Sequence, residues 1–191
     1  MELHSTHVET MPVQGTVCTG SDIGKIVTEL LDNFSAGLPE KDQSYWLLKE
    51  VKNVAPADVD KIRNFFVNRG FGLLPHGQTF VETHRANRPE SKEPTSCPLA
   101  VHFDNHTGIA YCCNTLLIYR GQFTGGQFYF EAHGSEHVFD PSNDNEDRLK
   151  FIMFRGNVVH WVTDLESGTR ELVAFQFESE DRCEKCASTT A

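Results

Sequence analysis

His102, Phe103 and Asp104 form the most chemical tripeptide in the chain. In a strand, alternate side chains share a face, so this imidazole and this carboxylate would point the same way. A third donor lies far off in sequence, at His160 in Val158-Val159-His160-Trp161-Val162. Two imidazoles and one carboxylate grouped on one side of an ion leave its other side open. That suits Fe(II), which must take O2 and a chelating cosubstrate together. Ten residues beyond His160 stands Arg170, in Ser167-Gly168-Thr169-Arg170. Gly168 predicts a hairpin turn, which would send Arg170 back along the His160 strand. There its planar guanidinium could clamp a cosubstrate carboxylate through two parallel hydrogen bonds. Each piece has a plain alternative. The chain holds 9 His and 27 Asp and Glu, so chance H-x-D pairs are expected. A lone strand histidine is more often a structural hydrogen-bonding group, and an arginine beside a turn is more often on the surface. Only the ordered set points to a metal centre.

Such a set needs strands to hold it, and the sequence supplies them after Gly70. Short β-rich runs occupy Gly72–Leu74, Gln78–Glu82, Ala100–Phe103, Ile109–Tyr119, Gln127–Glu131, Leu149–Phe154, Val158–Thr163 and Glu171–Phe177. Turn-forming clusters separate them, among them Thr124-Gly125-Gly126, Asp140-Pro141-Ser142-Asn143 and Glu166-Ser167-Gly168. The stretch from Arg85 to Pro98 is rich in proline, serine and charge and reads as a loop beside His102. Before Gly70 the pattern is helical. Ser21 or Asp22 is placed to cap a helix with Ile23, Ile26, Val27, Leu30 and Leu31 on one face. A second short helix is predicted over Gln43 to Val51. A third runs over Pro56 to Val67, with Val59, Ile62, Phe65 and Phe66 on one side. Helices first and about eight short strands after them predict an α+β chain, a small barrel or jelly roll with helices packed outside.

The domain division that follows is a loose polar arm over 1–20, one domain over 21–180 and a tail over 181–191. A length of 191 residues fits a single domain with a core of its own. A net charge of −10 disfavours non-specific attraction to nucleic acid or anionic membrane, without excluding a local basic groove. No apolar run is long enough to span a bilayer, and residues 1–20 lack the pattern of a secretory signal. A cytoplasmic location, with a nuclear one as the alternative, is therefore expected. So are reduced thiols at Cys18, Cys97, Cys112, Cys113, Cys183 and Cys186. Cys183 and Cys186 form one spaced pair, which falls short of the four ligands of a closed zinc site.

In order along 98–178, the H-x-D triplet, the run Gly125-Gly126-Gln127-Phe128-Tyr129-Phe130, Phe154-Arg155-Gly156-Asn157-Val158-Val159-His160-Trp161-Val162 and Gly168-Thr169-Arg170 resemble the Fe(II)/2-oxoglutarate dioxygenase superfamily. The flavour is that of prolyl 4-hydroxylase-like and ten-eleven-translocation-like members. The resemblance implies a double-stranded β-helix with His102, Asp104 and His160 as iron ligands. It implies Arg170 on the far carboxylate of 2-oxoglutarate and Asn114 lining the cosubstrate pocket. His106, Tyr111 and Tyr119 are near enough in sequence to line the same cavity. The implied activity is hydroxylation of a C–H bond in a small molecule or a protein side chain, with succinate and CO2 as co-products. A nucleic-acid base as substrate, or a non-catalytic binding role for the same fold, are the alternatives. Two departures bear on the substrate. Leu172 stands where some small-molecule oxygenases carry serine, and Arg170 where prolyl hydroxylases frequently carry lysine.

Overall fold

The computed structural model describes residues 11–35, 38, 44–71, 77–86, 102, 113–156 and 158–178. Helix α1 spans Asp22–Ser35 and α2 spans Pro56–Val67. Ser21 is the cap the sequence allowed: its Oγ accepts a hydrogen bond from the Gly24 N–H at 3.1 Å. Pro56 opens α2, where the first turn needs no N–H. Among the described residues no helix is long and apolar enough to cross a membrane.

Among the described residues, ten strands build two antiparallel sheets. The larger contains β1 (Val13–Cys18), β2 (Tyr45–Glu50), β3 (Gly77–Ala86), β4 (Cys113–Arg120), β8 (Arg148–Arg155) and β10 (Leu165–Glu178). Their order is β1-β8-β4-β10-β3-β2, with the short β5 (Phe123–Gly125) paired to β10. The smaller sheet is β7-β6-β9, made of Ser135–Phe139, Phe128–Ala132 and His160–Val162.

Strand parity divides the larger sheet into two working faces. Phe151, Ile118, Val173 and Val81 align across β8, β4, β10 and β3. They share one hydrophobic cluster with Ile23, Ile26, Val27 and Leu31 of α1 and Ile62 and Phe66 of α2. Burying each such side chain contributes about 1.5–3 kcal/mol, so this face supplies much of the driving force for folding. The alternate residues Ile152, Leu117 and Leu172 cluster instead with Phe128, Phe130 and Phe139 of the smaller sheet. The space between the sheets is thus a second, separate core, and the expected site residues must come from its walls. On the helix side, Arg120 ties α1 to the sheet. It donates to Glu171 through Nε at 2.6 Å and Nη2 at 3.1 Å, and to Asp32 through Nη1 at 2.7 Å.

Three expectations need correction. Residues 13–18 belong to the sheet, as strand β1 on β8, rather than to a loose arm. The alternation is hidden because Gly15 occupies its middle inward position, where a Cβ would meet the Phe151 ring at 2.9 Å. Within the segment read as a helix over Gln43 to Val51, Tyr45–Glu50 form strand β2, paired with β3, while Gln43 lies outside the described residues. Leucine, lysine and glutamate favour helix locally, but the free edge of β3 offers a full ladder of backbone partners, and tertiary pairing wins. Gly168 does not make a hairpin. It sits inside β10 at φ 90°, beside a register shift between Leu165 and Ser167. Its missing side chain admits β5, since a Cβ there would stand 2.5 Å from Gln122 O. Glycine in that position marks a bulge, not a turn. Thr124-Gly125-Gly126 likewise hands the chain from one sheet to the other, because β5 pairs with β10 whereas β6 pairs with β7 and β9. The strand expected at 72–74 and most of the one at 100–103 lie outside the described residues.

Candidate metal centre

His102 and His160, separated by more than fifty residues in sequence, exchange both backbone hydrogen bonds, each N–H···O at 3.0 Å. A pair that exchanges both bonds stands directly opposite across two antiparallel strands, with both side chains on one face. The ring centroids are 4.2 Å apart and the planes are inclined by 57°. Two imidazoles so placed can reach one ion at metal–nitrogen distances of about 2.1 Å.

The second partner of His160 decides which nitrogen is offered. Its Nδ1 lies 2.9 Å from Val158 O. A carbonyl can only accept, so Nδ1 carries the proton, and in the neutral ring the lone pair a metal would need is the one on Nε2. The ring is fixed by packing as well: it stacks on Phe128 at 5.1 Å and leans on Phe154 at 4.8 Å. Only 3% of His160 is exposed, so bulk water is largely kept from that side of the site. These features fit a ligand histidine. Asp104, the expected carboxylate, lies outside the described residues, as do His106 and Tyr111. Among the described residues no three His, Cys, Asp or Glu side chains are grouped to hold a metal.

Arg170 is on the inner face of β10 and 1% exposed, which excludes the surface reading. It gets there through β10 pairing with β3 and β4, not by turning back along β9. Its Nη2 donates to Glu82 Oε1 at 2.5 Å, and a Cβ on Gly126 would stand 3.4 Å from its Nη1. The Gly-Gly corner therefore makes room for the guanidinium. Asn114 falls on the wrong side for the role expected of it. It pairs with Phe177 and alternates with Leu116 and Ile118, the helix-facing side of the sheet. The resemblance that suggested Asn114 carries no information about strand parity. Tyr119 has the inner parity, is buried, and packs on Phe139 at 5.9 Å.

Two buried inner-face residues went unnoticed in the sequence, Glu82 and His84 of β3. Their signal was available, because Glu82-Thr83-His84 has the same alternate spacing as His102-Phe103-Asp104. His84 stands directly opposite Arg170 in the β3–β10 register and is 0% exposed. Burial, reinforced by the Arg170 charge and opposed by Glu82 and Asp164, pushes its pKa from 6.5 down to about 4. The unfolded chain therefore binds a proton that the folded one refuses. Stability from this residue is complete above about pH 6.5 and is lost as pH falls toward 4. From pH 7 to pH 5 the wild type should lose about 2 kcal/mol more than His84→Asn, by urea denaturation. Equal losses in the two proteins would show that His84 is not held neutral.

No family model matches the chain, and no curated protein does. Solved structures do. A prolyl-4-hydroxylase from Pseudomonas putida superposes with a TM-score of 0.55 at 13% identity, covering 87% of this chain and 92% of that one. A prolyl hydroxylase from Trichoplax adhaerens, in complex with a hypoxia inducible factor oxygen degradation domain peptide fragment, gives 0.56 at 12% identity, covering 93% and 87%. An oxidoreductase of the 2OG-Fe(II) oxygenase family from Burkholderia pseudomallei gives 0.55 at 13%, covering 91% and 87%. At such identities the likeness is one of fold, here a mostly antiparallel, jelly-roll-like arrangement with two helices among the described residues.

Proposed function

We propose that this chain is an Fe(II)- and 2-oxoglutarate-dependent oxygenase that hydroxylates a C–H bond of a small molecule or a protein side chain. The observation that carries the reading is the cross-strand pair His102 and His160, with His160 Nδ1 tied to Val158 O. In this reading Asp104 completes the ligand set from two residues beyond His102, and Arg170 anchors the far carboxylate of 2-oxoglutarate. The double-stranded β-helix forms one oxygenase domain, with α1 and α2 buttressing its outside. Fe(II) held there supplies O2 activation coupled to oxidative decarboxylation of 2-oxoglutarate, giving succinate, CO2 and a hydroxylated product. The chain's own part is geometric and electrostatic. Val158 O sets the tautomer of His160, while Phe128 and Phe154 hold its ring and exclude water. Arg170 offers a fixed, planar donor set from a rigid strand. The peptide held by the Trichoplax adhaerens protein supports starting a substrate search with peptides.

The test is direct. Protein supplied with Fe(II) under anaerobic conditions should develop the visible charge-transfer absorption of an Fe(II)–2-oxo acid chelate when 2-oxoglutarate is added. On admission of O2 it should release succinate. Absence of both would remove the reading and leave a jelly-roll binding protein.

A further inference from the structure

Across β2, β3 and β10 one lateral row runs Trp46, His84, Arg170, each directly opposite the next. Directly opposed residues share a face with Cβ atoms about 5 Å apart. Glu82, one step along the same face, holds Arg170 Nη2. Among the described residues, His84 Nδ1 and Nε2 and Trp46 Nε1 are all buried and have no hydrogen-bond partner. Each orphaned polar atom of this kind costs about 1–3 kcal/mol, and native proteins leave few of them. Three in one row, beside the arginine that the proposed function assigns to the cosubstrate, describe a cradle whose partner arrives from outside.

We infer that His84 is a second cosubstrate-binding residue, donating a ring N–H to the carboxylate that Arg170 anchors, with the Trp46 indole N–H beside it. The inference rests on the proposed role of Arg170. Its chemistry follows from charge. Glu82 already balances Arg170, so a further cation would leave the empty cradle with uncompensated positive charge. A neutral imidazole donates a hydrogen bond without adding charge, and burial beside Arg170 keeps His84 neutral. With Arg170 Nη2 already held by Glu82, a further donor from a rigid strand gives the carboxylate a hydrogen bond that the guanidinium alone no longer supplies.

Calorimetric titration of the Fe(II)-loaded protein under anaerobic conditions tests this, with 2-oxoglutarate and with pyruvate, a 2-oxo acid that lacks the distal carboxylate. His84→Phe should weaken 2-oxoglutarate binding by about tenfold to a hundredfold, the range for losing a hydrogen bond to a charged group. Pyruvate and Fe(II) affinities should stay as in wild type. His84→Gln, which keeps an N–H donor, should recover most of the loss, and Trp46→Phe should weaken 2-oxoglutarate by several-fold. Wild-type affinity for 2-oxoglutarate in His84→Phe and Trp46→Phe would overturn the inference and leave Arg170's role standing. Equal losses for both acids would overturn it too, because they would mean a structural role. If wild type binds pyruvate and 2-oxoglutarate equally, the distal carboxylate has no anchor, and the Arg170 reading falls together with the inference.

Discussion

Arg170→Leu should cost the protein about 3–5 kcal/mol of stability, whatever it does to cosubstrate binding. The side chains of Arg170 and Glu82 are 1% and 4% exposed, and they meet at 2.5 Å. Removing the guanidinium strands a carboxylate in the inter-sheet core, with no solvent to take over its charge. For a domain whose whole margin is about 5–15 kcal/mol, that loss is severe. Removing both partners is a different perturbation. Arg170→Leu with Glu82→Leu replaces a buried ion pair by apolar volume and should recover most of the deficit. Urea denaturation of the two single variants and the double decides the matter. A double variant no more stable than Arg170→Leu would show that the pair is not coupled. It also follows that weak 2-oxoglutarate binding by Arg170→Leu alone would be ambiguous. The double variant, folded but without its clamp, is the proper reagent.

The second large effect is expected at the metal. His160→Ala should lower Fe(II) affinity by more than about a hundredfold and abolish succinate release. Loss of supporting contacts around a ligand already costs about 10–100-fold, and this substitution removes the ligand itself. Asp104→Ala should do the same. His160 fills space between Phe128 and Phe154, so alanine also leaves a cavity. His160→Gln, closer in volume, separates the two effects: it should remain folded and still fail to turn over. Full activity in both His160 variants would remove His160 from the ligand set.

What could be read in advance divides along physical lines. Helix α2 kept its expected bounds because Pro56 and the spacing of Val59, Ile62 and Phe66 are local signals. Ser21 was legible for the same reason. The pairing of His102 with His160 was implied only by an order of motifs, since nothing local says which strands meet. The edge strands were the weak point. β7, Ser135 to Phe139, has few apolar residues and no clean alternation. Its two-residue turn is His133-Gly134, with φ 52° and 71°, instead of the usual asparagine or aspartate before glycine. β2 spells helix and forms strand. Glu82 and His84 carry the alternate spacing of a ligand pair, but that spacing could be tied to a site only once Arg170 was known to lie across from His84. Asn114 failed through parity, which the sequence carries only when the strand's start is known.

Every second residue of β10 belongs to a different compartment, and that makes the salt bridges on the helix side matter to the site. A slip of β10 by one residue against β4 would carry Arg170 out to α1 and bring Glu171 into the cradle, replacing a cation with an anion. Hydrophobic contacts alone resist this weakly, because the strand has apolar residues on both faces, with Leu172 on one and Val173 and Phe175 on the other. Arg120 resists it specifically. It sits opposite Glu171 in the ladder, grips both carboxylate oxygens, and reaches Asp32 on the helix. The pair works as an index pin: it lies on the helix-facing side of the sheet, yet it fixes which side chain of β10 arrives between the sheets.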